Sequence, residues 1–294
     1  MKKINLVFVC LFLIIASLLS ACTQMDKIQV KLGLKNNDFE YMKQNKVKKI
    51  VIQSTRDSGY KFILTNPVAI SEIYDILSSA RPVDTKSSLK PDYIFDIYEN
   101  DKVVHEFNYI VGLDKNDGGN LYSNDKNYIV TNRIDSEILN QFNDDRTPKD
   151  FSQIYYTFIS ECIDKYRDST KSNKSIGIDI NDDSEALKFI FSSDLDDFEK
   201  SLPSNVSVLN NSDDPCDVKE TVTTEGYKYG SFTYNDPDIY KETKKNSYKN
   251  SYIYKSIVVF HDNSTNAEKK YYVVGINEGD YWNINISETK NSDF

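Results

Sequence analysis

Lysine and tyrosine side chains recur together in one segment of the second half of the chain, YKETKKNSYKNSYIYKS, residues 240–256. In this lysine–tyrosine segment, five lysines accompany a single acidic residue, Glu242. Lysine ammonium groups neutralise phosphates, and tyrosine rings stack on exposed bases or sugar rings. The segment therefore predicts a site for a polyanionic polymer. The candidate ligand-binding residues are Lys241, Lys244, Lys245, Tyr248, Lys249, Tyr252, Tyr254 and Lys255.

An alternative interpretation makes the same segment a solvated loop that leads into an edge strand, because lysines at a sheet edge discourage aggregation. A smaller basic group, at residues 43–49, could face anionic lipid headgroups. Its lysines are Lys43, Lys46, Lys48 and Lys49. The chain as a whole is acidic, with a formal net charge of −9, and disfavours nucleic acid outside clusters of this kind.

The sequence offers little support for catalysis or for a bound metal. Its two histidines, His105 and His261, are too far apart in sequence for a histidine-rich metal motif, and neither stands in a triad motif. A glycine-rich phosphate loop is also missing. The segment Asp114 to Asp125 matches a calcium loop at only a few positions and is better explained as a polar hairpin loop. We expect no catalytic residue, no metal and no cofactor.

Two cysteines in the body of the chain, Cys162 and Cys216, could form a disulfide if the protein is exposed to an oxidising exterior. The alternative is that Cys162 stays free, because it lies on the apolar stripe of a predicted helix, where a thiol behaves as a small hydrophobe. A catalytic cysteine is not supported, since no histidine stands in a partnering motif.

The pattern of apolar residues predicts an α+β chain of two small domains, each with a mostly antiparallel sheet packed against helices. The first, residues 46–146, reads as β-β-α-β-β-β-α. Its first helix starts at an Asn66 cap with Pro67 in the first turn and ends at Arg81-Pro82, and its second runs from Ser136 to Phe142.

The second domain, residues 147–294, begins with a helix that Thr147 caps. Apolar residues then recur every three or four positions from Phe151 to Tyr166. A short strand, IGIDI, and a helical region from Ser184 to Leu202 follow, and four strands starting at YKYGSFTY complete the domain.

The N-terminal residues have the three parts of a secretory signal peptide. Lys2 and Lys3 precede an apolar run that is shorter than the roughly 20 residues of a membrane span. Leu19-Ser20-Ala21-Cys22 resembles the lipobox of bacterial lipoproteins. The resemblance implies that residues 1–21 are removed, that Cys22 carries the lipid, and that residues 22–45 include a spacer. It also implies attachment to the outer face of the cell membrane.

The order of elements in residues 147–287, with Trp282-x-Ile284 in the last strand, is similar to the NTF2-like cone fold. That resemblance implies a concave face that could hold a small apolar ligand.

Abundant Tyr, Asn, Lys and Ile are associated with low-GC Gram-positive bacteria.

Two functions follow as expectations. The first is a non-enzymatic surface lipoprotein that binds extracellular DNA, teichoic acid or another wall polymer, in adhesion or a biofilm matrix. The second is an accessory or sensory lipoprotein that docks on a membrane protein partner such as a sensor kinase, a transporter or a wall enzyme.

Overall fold

The computed structural model of the chain describes residues 35–43, 46–112, 118–131, 134–139, 148–229, 252–277, 279, 281–290 and 294. Within them the chain is α+β and carries two separate sheets, which confirms the predicted fold class.

Two compact units are present. One holds the residues up to Gln53 with Lys61–Gln141, and the other holds Ser54–Tyr60 with Phe142–Phe294. The predicted domain boundary, between residues 146 and 147, stays a prediction.

The first unit is built on a seven-stranded sheet with the strand order β2-β1-β4-β5-β6-β7-β3. In chain order its elements are α1 (Glu40–Lys43), β1 (Val47–Ser54), β2 (Lys61–Leu64), α2 (Pro67–Ser78), β3 (Arg81–Val83), β4 (Tyr93–Glu99), β5 (Lys102–Tyr109), β6 (Leu121–Tyr122), β7 (Asn127–Ile129) and a π-helical turn (Ile134–Leu139). Buried and partly exposed residues alternate along β4, as expected for a strand with one face on the core.

The start of α2 is as predicted, but its end is not. The helix stops at Ser78, and Arg81-Pro82 belongs to β3. The side chain of Asn36 donates hydrogen bonds to the carbonyl oxygens of Leu77 (2.9 Å) and Ala80 (2.7 Å). A residue distant in sequence therefore satisfies the carbonyl groups at the helix end, which local signals do not reveal. The predicted helix from Ser136 is a π-helical turn over Ile134–Leu139.

Replacing Asn66 by alanine should destabilise α2 by about 1 kcal/mol. The side-chain oxygen of Asn66 accepts a hydrogen bond from the amide of Val68 at 2.9 Å, and alanine leaves that donor without a partner in the protein. Hydrogen exchange of the α2 amides should accelerate roughly fivefold. Asn66→Asp, which keeps the acceptor, is the matched control. Equal exchange rates in both variants would show that the cap contributes nothing.

The second unit is built on a six-stranded sheet with the order β13-β12-β11-β10-β8-β9. Its elements are α3 (Phe151–Thr170), β8 (Ile176–Asp179), α4 (Ser184–Leu187), α5 (Ser192–Ser201), β9 (Val206–Val208), β10 (Val218–Tyr229), β11 (Tyr252–Asp262), β12 (Ala267–Asn277) and β13 (Trp282–Ser287). Strands β10 to β13 pair antiparallel, whereas β8 is parallel to both β10 and β9.

Helix α3 buries the predicted apolar stripe in the core of this unit. The fit is close at Gly275 on β12, where a Cβ atom would lie 3.1 Å from Cδ1 of Ile154. Within the described residues, no helix combines the length and apolar content that crossing a membrane requires.

Three predictions for the second unit need correction. Asp150, in a left-handed conformation with φ of 53°, precedes α3 in the place predicted for Thr147, which lies outside the described residues. The helical region from Ser184 is two helices, α4 and α5. Strand β10 begins at Val218, ahead of the predicted YKYGSFTY. The prediction missed its first residues because polar Glu220 and Thr224 occupy inward positions and interrupt the apolar alternation.

Candidate functional site

The lysine–tyrosine segment follows the pairing of the two central strands of the second sheet. The β10–β11 pairing ends at Tyr229 and Tyr252, so residues 230–251 connect these strands at one end of the sheet. Five candidate residues lie in this connection, outside the described residues: Lys241, Lys244, Lys245, Tyr248 and Lys249. The other three lie on β11, where alternation divides them between the two faces of the sheet.

Tyr254 points into the core and has no exposed surface. Its ring packs 4.9 Å from the ring of Phe158 and 4.7 Å from that of Tyr227. A polymer outside the protein cannot reach it, so Tyr254 is removed from the ligand-binding residues. The clustering of tyrosines in the sequence predicted a shared surface, but Tyr254 lies on the face of β11 that is buried against α3.

Lys255 lies on the opposite face of β11. Its Nζ atom donates a hydrogen bond to the carbonyl oxygen of Phe294 at 3.1 Å, and the ring of Phe294 packs 5.0 Å from that of Tyr272. The ammonium group of Lys255 therefore already has a partner within the second unit. A polymer would have to share or displace that contact.

Tyr252 has a cationic neighbour that sequence reasoning missed, Lys149. The Nζ atom of Lys149 lies 5.7 Å from the centre of the Tyr252 ring. It also donates hydrogen bonds to Oδ1 of Asn277 at 3.2 Å and to the carbonyl oxygen of Gly279 at 3.1 Å. Lys149 lies two residues before the start of α3, so only the packing of this helix end near the end of β11 brings the two side chains together. No local signal could have found it.

A carboxylate also lies at this end of α3. Asp150 accepts a hydrogen bond from Nε1 of Trp282 at 3.1 Å. Its negative charge stands at the N-terminal end of the helix, where the helix dipole favours an anion. Asp150 therefore lies where the dipole of α3 stabilises its charge, and it also accepts a hydrogen bond from an indole.

A buried polar cluster lies deeper in the second unit and joins four elements. We call Asp183, Tyr155, Thr224, Tyr227 and Tyr254 the aspartate–tyrosine cluster. Asp183 accepts hydrogen bonds from the Thr224 amide (3.0 Å), the Thr224 hydroxyl (2.8 Å) and the Tyr155 hydroxyl (3.1 Å). Thr224 Oγ1 lies 3.0 Å from the Tyr254 hydroxyl. Burial raises the pKa of Asp183, and the hydrogen bonds from Thr224 partly offset this rise.

The aspartate–tyrosine cluster has the residue types of an acid–base site, but its key side chains are buried and a substrate could not contact them. Asp183 is 1% exposed, Tyr155 is fully buried and Thr224 is 5% exposed. A general acid or base must reach its substrate directly or through one water molecule. The cluster instead ties the residue before α4 to strand β10, and its role is structural.

Aromatic rings fill much of the space between α3 and the second sheet. Tyr166 stacks on Phe260 with ring centres 4.4 Å apart, and Phe158 contacts Tyr254. Among the described residues, these contacts give no support to a concave site for a small apolar ligand.

Cys162 and Cys216 are both free thiols. Cys162 is buried on α3, on the face of the sheet that carries Ile178 and Glu220. Cys216 packs against Gly177, since a Cβ atom on Gly177 would lie 2.9 Å from the Cys216 sulfur. Gly177 is next to Ile178 on β8, so this contact is on the opposite face of the sheet from Ile178 and Glu220. Because the sheet stands between the two thiols, the predicted disulfide is wrong.

The histidines make ordinary structural contacts. His105 stacks on Tyr41 with ring centres 4.0 Å apart, and burial lowers its pKa. His261 lies 3.3 Å from the carboxylate of Glu268. In the part of the chain that the structure describes, no three His, Cys, Asp or Glu side chains are grouped to hold a metal. Asp114 and Asn116 of the calcium-like segment lie outside that part.

Comparison with known proteins gives one match. Residues 43–148 are similar to a bacterial family described as YhfM protein, and this match covers most of the first unit. No curated protein and no solved structure matches the chain. The lysine–tyrosine segment and the rest of residues 149–294 lie beyond the matched residues.

Proposed function

We propose that the protein is a bacterial surface lipoprotein, anchored through Cys22 to the outer face of the cell membrane, that binds a polyanionic polymer without catalysing a reaction. Cys22 lies outside the described residues, and its lipidation is proposed from the lipobox. The polymer is extracellular DNA or a wall polymer such as teichoic acid. The observation that supports this function best is the pairing of β10 with β11, which leads both ends of residues 230–251 to one end of the second sheet.

The same end of the sheet carries Lys149 beside Tyr252. Tyr252 is the first described residue after the connection, whose sequence supplies Lys241, Lys244, Lys245 and Lys249. Binding residues are commonly carried by loops on a rigid scaffold. Here the supports are the two central strands of a sheet packed against α3.

The charge of the chain as a whole favours a localised site. With a net charge of −9, the protein repels a polyanion except where its lysines are concentrated. Each phosphate that a lysine neutralises releases counterions, so the affinity falls steeply as salt increases. Anchoring of many copies to one membrane raises the total binding strength, and a modest affinity per molecule is then enough.

This function is tested by measuring binding of the full chain, purified in a non-ionic detergent, to labelled duplex DNA and to teichoic acid across a salt series. Dextran, a neutral polymer, is the control. We expect binding to both anionic polymers, a linear fall of the logarithm of affinity with the logarithm of salt concentration, and no binding to dextran. Failure to bind either anionic polymer at the lowest salt would refute the proposal.

A second candidate function is docking on a membrane protein partner. It is favoured by Ile63 on β2, an edge strand of the first sheet, which is 56% exposed and pairs with Val51. Exposed apolar residues of this kind are common at protein interfaces, although single ones are also normal on surfaces. A saturable crosslink to a membrane protein that Ile63→Lys abolishes, and that substitutions of Lys241 to Lys255 leave unchanged, would favour this candidate over polymer binding.

A further inference from the structure

Glu220 is a carboxylic acid in the centre of an apolar core. It lies on β10, with its side chain on the same face as Val218 and Val222, and it has no exposed surface. Its neighbour on β11 is Phe260, and its neighbour on β8 is Ile178. Glutamate is almost never fully buried unless it is paired. Its position under α3 therefore requires an explanation.

Neither oxygen of the Glu220 carboxyl group has a hydrogen-bond partner among the described residues. This distinguishes Glu220 from Asp183, whose carboxyl group accepts three hydrogen bonds. Buried polar groups are nearly always hydrogen-bonded, and an exception indicates stored strain or a functional role.

Among the residues that the structure describes, few groups that titrate or carry charge face Glu220. From α3 the thiol of Cys162 interacts with it, and Glu220 is the second cause, after burial, of the raised pKa of that thiol. Glu161 and Lys165, also on α3, act on Cys162. The partners from β8 and β11, Ile178 and Phe260, are apolar. Burial alone raises the pKa of Glu220 well above its ordinary value.

The burial of Glu220 makes the stability of the folded second unit depend on pH, and the direction of this dependence can be derived. In the folded second unit the carboxyl group keeps its proton, because a carboxylate in an apolar core without a partner is costly. In the unfolded chain the same group loses its proton near its ordinary pKa. Between these two pKa values the folded state binds more protons, so a rise in pH favours the unfolded or opened state. The stabilisation by the protonated form is complete at low pH and is lost as pH rises.

We propose that Glu220 makes the docking of helix α3 on the second sheet dependent on pH, so that this contact opens more often as the surroundings become less acidic. Proton release from Glu220 is the trigger, and the interface between α3 and the sheet is the element that responds. The inference concerns the second unit only and does not depend on which polymer or partner the protein binds.

Cys162 provides a local probe of this opening, because it is fully buried on α3 and faces Glu220. The full chain is exposed to iodoacetamide at a series of pH values, and alkylation is measured as the mass increase of the peptide that contains Cys162. Each rate is divided by the rate in the urea-unfolded chain at the same pH, which removes the intrinsic dependence of thiol reactivity on pH. The quotient measures protection of Cys162 in the folded protein.

The protection of Cys162 should fall as pH rises above the ordinary pKa of glutamate, by up to about tenfold for each pH unit. The variants Glu220→Gln and Glu220→Met, which cannot ionise, should keep a nearly constant protection over the same range. Methionine is apolar and close to glutamate in length, so it serves if the glutamine variant does not fold. The buried Asp183 stays in all three proteins, and the comparison therefore isolates Glu220.

Constant protection of Cys162 in the native protein would overturn the proposal. An equal fall in the native protein and in Glu220→Met would also overturn it, because the titration would then belong to another group. Protection of Cys216, which packs on the other face of the sheet, serves as an internal control and should not respond to the substitution at Glu220.

Discussion

Replacing Asp183 by alanine should destabilise the second unit by roughly 3–5 kcal/mol. The substitution removes the acceptor of three hydrogen bonds at once, from the Thr224 amide, the Thr224 hydroxyl and the Tyr155 hydroxyl. These donors are buried, and a buried donor left without a partner costs about 1–3 kcal/mol. The expected loss is a large fraction of the stability of an ordinary domain.

Urea unfolding followed by tryptophan fluorescence measures this effect. Trp282, the single tryptophan of the chain, lies on β13 of the second unit and reports on that unit. Asp183→Asn, which keeps one acceptor oxygen, should be less destabilising than alanine. A difference of less than about 1 kcal/mol between Asp183→Ala and the native protein would show that the aspartate–tyrosine cluster does not hold α4 and β10 together.

Changing Lys244, Lys245 and Lys249 to glutamine should weaken binding of duplex DNA at low salt by roughly 10- to 100-fold. These lysines carry the positive charge of the connection between β10 and β11, and each one that contacts a phosphate contributes through counterion release. The change removes charge without adding bulk, and it leaves the described core of the second unit untouched. Binding at equilibrium, measured by fluorescence anisotropy of labelled DNA, gives the result.

The matched control removes three lysines from the first unit instead. Lys61, Lys90 and Lys102 are exposed there, and their replacement by glutamine changes the net charge by the same amount. We expect this control variant to bind DNA with nearly the native affinity. An equal loss in both variants would mean that the total charge of the protein, and not the lysine–tyrosine segment, determines binding.

Local periodicity was sufficient to predict the parts of the fold that depend on near neighbours. The stripe from Phe151 to Tyr166 predicted α3 because residues three and four apart share a helix face. The Asn66 cap could also be predicted from near neighbours, because its hydrogen bond from the Val68 amide spans only two residues. Features of this kind depend on a few consecutive residues and need no knowledge of the tertiary structure.

Features that depend on distant pairing were missed or misassigned. Strand β10 was recognised only near its end, because Glu220 and Thr224 occupy inward positions that normally hold apolar residues. Lys149 comes close to Tyr252 only through the packing of α3 on the sheet. The alternation of β11 could have shown that Tyr254 and Lys255 face opposite sides, but which side is buried depends on the position of α3.

The cysteines illustrate the same limit. Their sequence context allowed both a disulfide and a buried free thiol at Cys162, and only the sheet topology decides between them. Gly177 and Ile178 are successive residues of β8 and point to opposite faces. Cys216 packs against the first of these and Cys162 lies on the face of the second, so the backbone of the sheet keeps the sulfur atoms apart.

The measurement that tests the proposed function most directly is the slope of the logarithm of DNA affinity against the logarithm of salt concentration, for the native chain and for the variant with Lys244, Lys245 and Lys249 changed to glutamine. Each lysine that neutralises one phosphate contributes about 0.9 to the slope, so the variant should have a slope that is shallower by up to ~2.7. Identical slopes, or a native chain that does not bind at low salt, would contradict polyanion binding by the lysine–tyrosine segment.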